Sequence, residues 1–222
     1  QYECLLDMVV LILDKGVERA VYGIVLAGLD LKGDGGKAAV IVDQVIDLAL
    51  AAVVIVVQLI AMGGQYRMPN PVTPNAEYNI WIDAESTDIV LQSGIPVTFV
   101  PLDACYGVAE IDRNDREKLL ACGTYCGEFI VKANSKLLQF NINSYGKDII
   151  SQPDPSAVAS ALCEGVVLET KSCHARCETK SELGYGQIVY DYDSKLPHNV
   201  TLVTKISGEK FKEYLLKIAA MK

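Results

Sequence analysis

The stretch "NPVTPNAEYNIWIDAE", residues 70–85, sets a carboxylate and an amide two positions apart, Glu77 and Asn79. A surface turn carries such residues for solubility. A sugar site carries them because vicinal hydroxyls need an acceptor beside a group that both donates and accepts. Read as extended chain, positions i and i+2 point the same way, so both side chains reach one ligand and Tyr78 faces the other side. The stretch follows the apolar run "VVIVVQLIAMGG" (53–64). Such a run is expected of a strand buried on both faces of a parallel sheet.

Other residues of chemical interest read as structural. The sequence has seven cysteines, including two C-x₃-C pairs. In a strand, Cys173 and Cys177 share a face about 13 Å apart, too far to hold one zinc without a turn. Cys122 and Cys126 fall at i and i+4 on the apolar face of an expected long helix, where packing or a disulfide is the better reading than metal. Asn199-Val200-Thr201 is a glycosylation sequon. With the cysteine count it leans weakly toward a secretory route, a cytoplasmic one staying open.

The chain begins with Gln, so a processed form or a fragment is the expectation, with any targeting peptide out of view. Half of its 222 residues are hydrophobic and 22% are charged, which suits a globular domain with a filled core. The formal net charge of −8 and the lack of a Lys/Arg cluster argue against nucleic acid and anionic membrane as partners. The uncharged run from Leu48 to Met62 is shorter than a spanning helix and contains Gln58.

The elements that must position Glu77 and Asn79 alternate in type. Helices are expected at 3–14, 44–52, 84–92, 113–141 and 154–163, with a last one capped by Ser207 and burying Phe211, Leu215 and Ile218. Strands are expected at 20–28, 37–42, 53–62, 96–103, 166–177, 185–191 and 199–206, with "GDGG" (33–36) as a loop. This order predicts an α/β fold, an open and mainly parallel central sheet flanked by helices, in one domain over 1–222.

Several motifs in order resemble the inosine-uridine nucleoside hydrolases: "LIAMGG", "TPNAEYNIWIDAES", "SGIPVTFVPLDA", "YGKDIISQPDPSAVASAL" and "ETKSELGYGQIVYDYDSKLPHNVTLVTKISGEKFKEYLL". The resemblance runs from about residue 53 to the end and is weaker upstream. It implies calcium-dependent hydrolysis of the N-glycosidic bond of ribonucleosides, with one Ca²⁺ at the strand ends and a homodimer or homotetramer. Calcium takes six to eight oxygen ligands, so carboxylates, a carbonyl, water and a ribose diol can share it.

The same resemblance assigns residues. Glu77 and Asn79 fall on ribose-binding positions, Asp30 on a substrate-binding one, and Asn70 one step from another, which is Pro71. Asp7 falls on a calcium-binding and catalytic Asp, Val42 on a residue that ligates through its carbonyl, and Asp154 on a calcium-binding Asp at a helix start. The pattern departs at Leu6, where the family has Asp, and at Pro153, where it often has a catalytic His. The two histidines, His174 and His198, lie elsewhere. Two other readings compete: a non-catalytic binding or storage protein of the same fold, and a flavodoxin-like nucleotide binder using "GDGG" as phosphate loop.

Overall fold

The computed structural model of the chain describes residues 8–15, 18–25, 55–67 and 73–221. In chain order the elements are β1 (Met8–Lys15), β2 (Glu18–Val25), β3 (Ile55–Met62), α1 (Tyr78–Ile82), α2 (Ala84–Gln92), β4 (Val97–Val100), α3 (Leu102–Cys105), β5 (Glu110–Ile111), α4 (Arg113–Ala121), α5 (Tyr125–Ala133), α6 (Ser135–Tyr145), β6 (Ile150–Ser151), α7 (Pro153–Leu162), β7 (Val167–Cys177), β8 (Ile188–Asp191), β9 (Val200–Ile206) and α8 (Gly208–Ala219). The chain divides into two compact units, 1–103 with 170–203, and 104–169 with 204–222.

The first unit is built on a sheet of order β2-β1-β3-β4-β9-β7-β8. Its centre is parallel: β3 pairs with β4, and β4 with β9. β1 is antiparallel to both β2 and β3, and β7 is antiparallel to β8. Every residue of β4 is buried, as the apolar run predicts for a central strand. Val97, Phe99, Cys173, Ala175, Ile188, Val200 and Leu202 of the sheet pack with Ile80, Ala84 and Leu91 of the two helices. Asp83 caps α2 by accepting from the Ser86 N–H at 3.0 Å. The α/β class read from the sequence is the class found.

The second unit is mainly helical. Asp112 and Asp115 form a capping box at the start of α4. The pairing of β5 with β6 sets Ile111 against Ile150. These two, with Leu119, Val166, Phe211 and Leu215, are buried. Ser207 caps α8 through the Lys210 N–H, as expected, and Phe211, Leu215 and Ala219 form its buried stripe while Ile218 is half-buried. Among the described residues no helix is long and apolar enough to cross a membrane.

Two expected elements are corrected. The helix expected over 3–14 is replaced by strand β1. A short apolar run rich in Val and Ile has no decisive period, and its pairing with two neighbours settles it as strand. The single helix expected over 113–141 is three, α4, α5 and α6. Gly123 turns the chain at φ +62°, and Thr124 opens α5 by accepting from the Gly127 N–H. Cys122 and Cys126 therefore share no helix. The expected strand 37–42, helix 44–52 and loop 33–36 lie outside the described residues.

Candidate functional site

The site grows from the carboxyl end of β3. Beyond Met62 the chain runs Gly63-Gly64-Gln65, still tied to the neighbouring strand's exit. The Gly63 N–H donates to Val100 O at 3.3 Å, and the Leu102 N–H to Gly64 O at 3.0 Å. Asp103 then accepts from the backbone N–H groups of Tyr66 and Arg67, at 2.9 and 2.8 Å. Carboxyl ends of parallel strands are where open α/β sheets bind ligands.

Glu77 and Asn79 meet there by a route other than the extended chain. Glu77 is the N-cap of α1, with φ −70° and ψ 146°. Its Oε2 accepts from the Asn79 N–H at 3.1 Å and from the Gly64 N–H at 3.3 Å. The expected i, i+2 strand geometry is thus corrected: one residue ends the extended segment and the other is already helical. The acidic side chain satisfies an N–H that a helix start leaves without a partner. Glu77 is 5% exposed. The Asn79 Nδ2 lies 3.5 Å from Met62 Sδ, a weak contact.

The β7–β8 hairpin holds α1 in place. Gly186 has φ +80°, and a Cβ there would lie 2.8 Å from Trp81 Cα and 3.1 Å from Ala76 Cβ. Only glycine allows the loop this close to the residues around Glu77. The Asn75 Nδ2 donates to Leu183 O at 2.7 Å, and the Tyr185 hydroxyl donates to Glu85. That bond, with burial, pushes the Tyr185 phenol up to about 12. Arg176 clasps Asp88 through Nε and an η nitrogen, at 2.8 and 2.9 Å. The guanidinium holds the Asp88 carboxyl below its ordinary value, burial opposing in part.

Two polar atoms beside this site stand out. The Tyr190 hydroxyl and the Gln65 Oε1 are buried without a hydrogen-bond partner among the described residues. An unmatched buried polar group costs about 1–3 kcal/mol. Gln65 is held at its other end, where its Nε2 donates to Pro74 O at 3.1 Å. The sequence reading passed over both. The one signal available was the glycine pair closing an apolar run, which marks a close backbone approach.

Of the other expected site residues, Asp154 lies in the first turn of α7, between Pro153 and Pro155. Asp7, Asp30, Val42 and Asn70 lie outside the described residues. Among the described residues no group of three or more His, Cys, Asp or Glu side chains could hold a metal. The expected calcium donors, Asp7, the Val42 carbonyl and Asp154, are all oxygens, the chemistry calcium takes. His174 Nδ1 lies 2.9 Å from Pro197 O, and His198 Nδ1 lies 3.0 Å from Ser172 Oγ.

The sequon asparagine is engaged in the fold. The Asn199 Nδ2 donates to Leu91 O at 2.8 Å and Ala175 O at 3.0 Å, while its Oδ1 accepts from the Ala175 N–H at 2.7 Å. A glycan on Nδ2 would displace one of two hydrogens already in use. Cys173 and Cys177 are buried on one face of β7, as expected of packing residues. The six described cysteines are free thiols.

An α/β sheet with a buried, helix-capping carboxylate beside the carboxyl ends of its parallel strands defines a class of ligand-binding folds, and comparison with known proteins narrows it. The chain belongs to the inosine-uridine preferring nucleoside hydrolase family, whose model matches residues 47–213. It is 32% identical to the pyrimidine-specific ribonucleoside hydrolase RihA of a Shewanella species over 172 residues, covering 74% of this chain and 52% of that one. A probable ribonucleoside hydrolase of Dictyostelium discoideum is also 32% identical, with 72% and 48% covered. Among solved structures, a plant nucleoside hydrolase superposes with a TM-score of 0.65 at 20% identity, covering 74% of this chain and 54% of that one. The purine-preferring ribonucleoside hydrolase of Gardnerella vaginalis gives the same TM-score at 19% identity, again with 74% and 54% covered. The chain spans about half the length of the relatives it matches.

Proposed function

We propose that the protein hydrolyses the N-glycosidic bond of ribonucleosides, giving ribose and free base. The observation that carries this reading is the Glu77–Asn79 pair, set at the carboxyl end of β3 by a helix start that the hairpin loop braces. The names of the relatives support it. In such a reaction the C1′–N bond breaks with its electron pair leaving on the base, water adds at C1′, and a proton passes to the base. Positive charge gathers on the sugar ring before water adds. The Glu77 carboxylate is proposed to lie against the ribose hydroxyls and to gain attraction as that charge develops. A carboxylate has about four acceptor positions, so backbone N–H groups and a sugar hydroxyl can share it. Asn79 is proposed to orient the diol by donating and accepting, with Asp30 and Asn70 as further ribose contacts.

Calcium dependence belongs to the same proposal, with Asp7, the Val42 carbonyl and Asp154 as the oxygen donors and Asp7 also in the catalytic role. A bound Ca²⁺ would supply an activated water and an anchor for the sugar diol. A homodimer or homotetramer is likewise proposed. One observation favours a second reading, a non-catalytic nucleoside-binding protein: Pro153 stands where the family often has a catalytic His, and both histidines sit beside the β7–β8 hairpin, tied to Pro197 and Ser172. The test is release of free ribose from inosine and uridine with Ca²⁺ present. Release that stops on chelation with EGTA is expected. Binding of nucleoside without any release decides for the second reading.

A further inference from the structure

The Tyr190 hydroxyl shares its neighbour with the Glu77 carboxylate. Gly64 has φ +80°, and a Cβ there would lie 2.8 Å from the Tyr190 oxygen and 3.0 Å from Ile188 Cδ1. The N–H of the same glycine donates to Glu77 Oε2 at 3.3 Å. The next residue is Gln65, whose Oε1 is the other buried atom without a hydrogen-bond partner among the described residues. The two groups differ in kind: a phenol both donates and accepts, and an amide oxygen only accepts. A hydroxyl-bearing ligand satisfies both, because each sugar O–H can accept from the phenol or donate to the amide. A purely apolar phenylalanine would fill the Tyr190 position without leaving a buried oxygen unmatched. Burial pushes the Tyr190 phenol well above its ordinary value, so it remains a donor across the working pH range.

We propose that Tyr190 and Gln65 are ligand-binding residues of the same site, the Tyr190 O–H donating to, and the Gln65 Oε1 accepting from, hydroxyls of the bound sugar. This rests on the ribonucleoside reading and adds two residues that the family resemblance did not assign. Each is supplied by a different element: Gln65 by the turn after β3, Tyr190 by β8. The ligand thus bridges the strand end and the hairpin that braces α1.

The test compares the unmodified full chain with Tyr190→Phe and Gln65→Leu. Two readouts are taken: the thermal midpoint without ligand, and calorimetric affinity for D-ribose and for uridine. The expected result for Tyr190→Phe is a midpoint equal to or above that of the unmodified protein, with affinity for both ligands about tenfold weaker. An unchanged affinity overturns the proposal, whichever way the midpoint moves; a fallen midpoint then assigns the hydroxyl a structural role only. Should Tyr190→Phe fail to fold, Gln65→Leu decides on the same two readouts. If the unmodified protein binds neither ribose nor uridine, the ribonucleoside reading fails and takes this inference with it. If it binds both and the variants bind as well as it does, this inference alone fails.

Discussion

Glu77 has two jobs that one substitution would remove together. As the cap of α1 it satisfies two backbone N–H groups. As the proposed electrostatic group it faces the sugar. Glu77→Ala should therefore cost about 0.5–2 kcal/mol of stability and lower kcat on the order of 10²-fold. Glu77→Gln separates the two roles, since an amide oxygen still accepts from both N–H groups but carries no charge. The expected outcome is near-normal thermal stability with most of the kcat loss retained, read from ribose release and a melting curve. Full activity in Glu77→Gln would remove the charge from the mechanism. Asn79→Ala should act on binding instead, raising KM through loss of about 1–3 kcal/mol of buried hydrogen bonding, with kcat less affected. A kcat loss equal to that of Glu77→Ala would show that Asn79 acts in the transition state.

At the scale of elements, the position of α1 depends on the hairpin that closes on it. Gly186→Ala meets two obstacles, a positive φ and a Cβ within 2.8 Å of Trp81 Cα. Backbone cannot yield as a flexible side chain does, so a loss of more than about 1 kcal/mol is expected. Urea unfolding measures it, and a variant as stable as the parent would show that the loop has room. The tie between α2 and β7 runs through Asp88, which also accepts from the Cys177 N–H at 3.1 Å. Asp88→Ala should cost about 1–2 kcal/mol, discounted because Arg176 is half exposed. Its pH dependence has a definite sign. The carboxyl is held below its ordinary value in the folded protein, so its contribution is complete above the unfolded value and is lost as pH falls through the folded one. Below about pH 4 the difference between parent and Asp88→Ala should shrink. A difference that persists unchanged to pH 2 would assign the effect to packing.

For the whole molecule, the thiols give a global probe of folding. Cys173 and Cys177 are buried in the sheet, and burial pushes them up to about 11 and about 12, with Asp191 and Asp88 adding to the two respectively. A thiol so raised holds almost no thiolate at neutral pH, and thiolate is the reactive form. Labelling at pH 7.5 followed by peptide mass spectrometry should modify the half-buried Cys122 and Cys126 first. Cys173 and Cys177 should react only once urea unfolds the first unit. Prompt labelling of Cys177 in native buffer would mean that the β7–β8 region opens locally. The same measurement made with ribose present would report whether ligand closes that region.

The chain's pattern alone determined much of the architecture. Largely apolar runs, broken only by Gln58 and Thr98, placed β3 and β4, because a strand buried on both faces needs no polar alternation. Ser207 ahead of Phe211 and Leu215 placed α8, because cap and periodic stripe are local signals. The order of short motifs around Glu77, Asn79 and Asp154 placed the family. Tertiary structure decided what local pattern leaves open. "MVVLIL" became a strand because two neighbouring strands pair with it. The apolar spacing over 113–141 was broken by backbone turns that spacing does not register. Glu77 and Asn79 came together through a helix cap, since the Gly64 N–H, thirteen positions earlier, reaches the same carboxylate. Tyr190 entered the site region because the loop between β7 and β8 returns the chain to the end of β3. No sequence window holds both Gly64 and Tyr190, and contacts of that separation exist only once the sheet has formed.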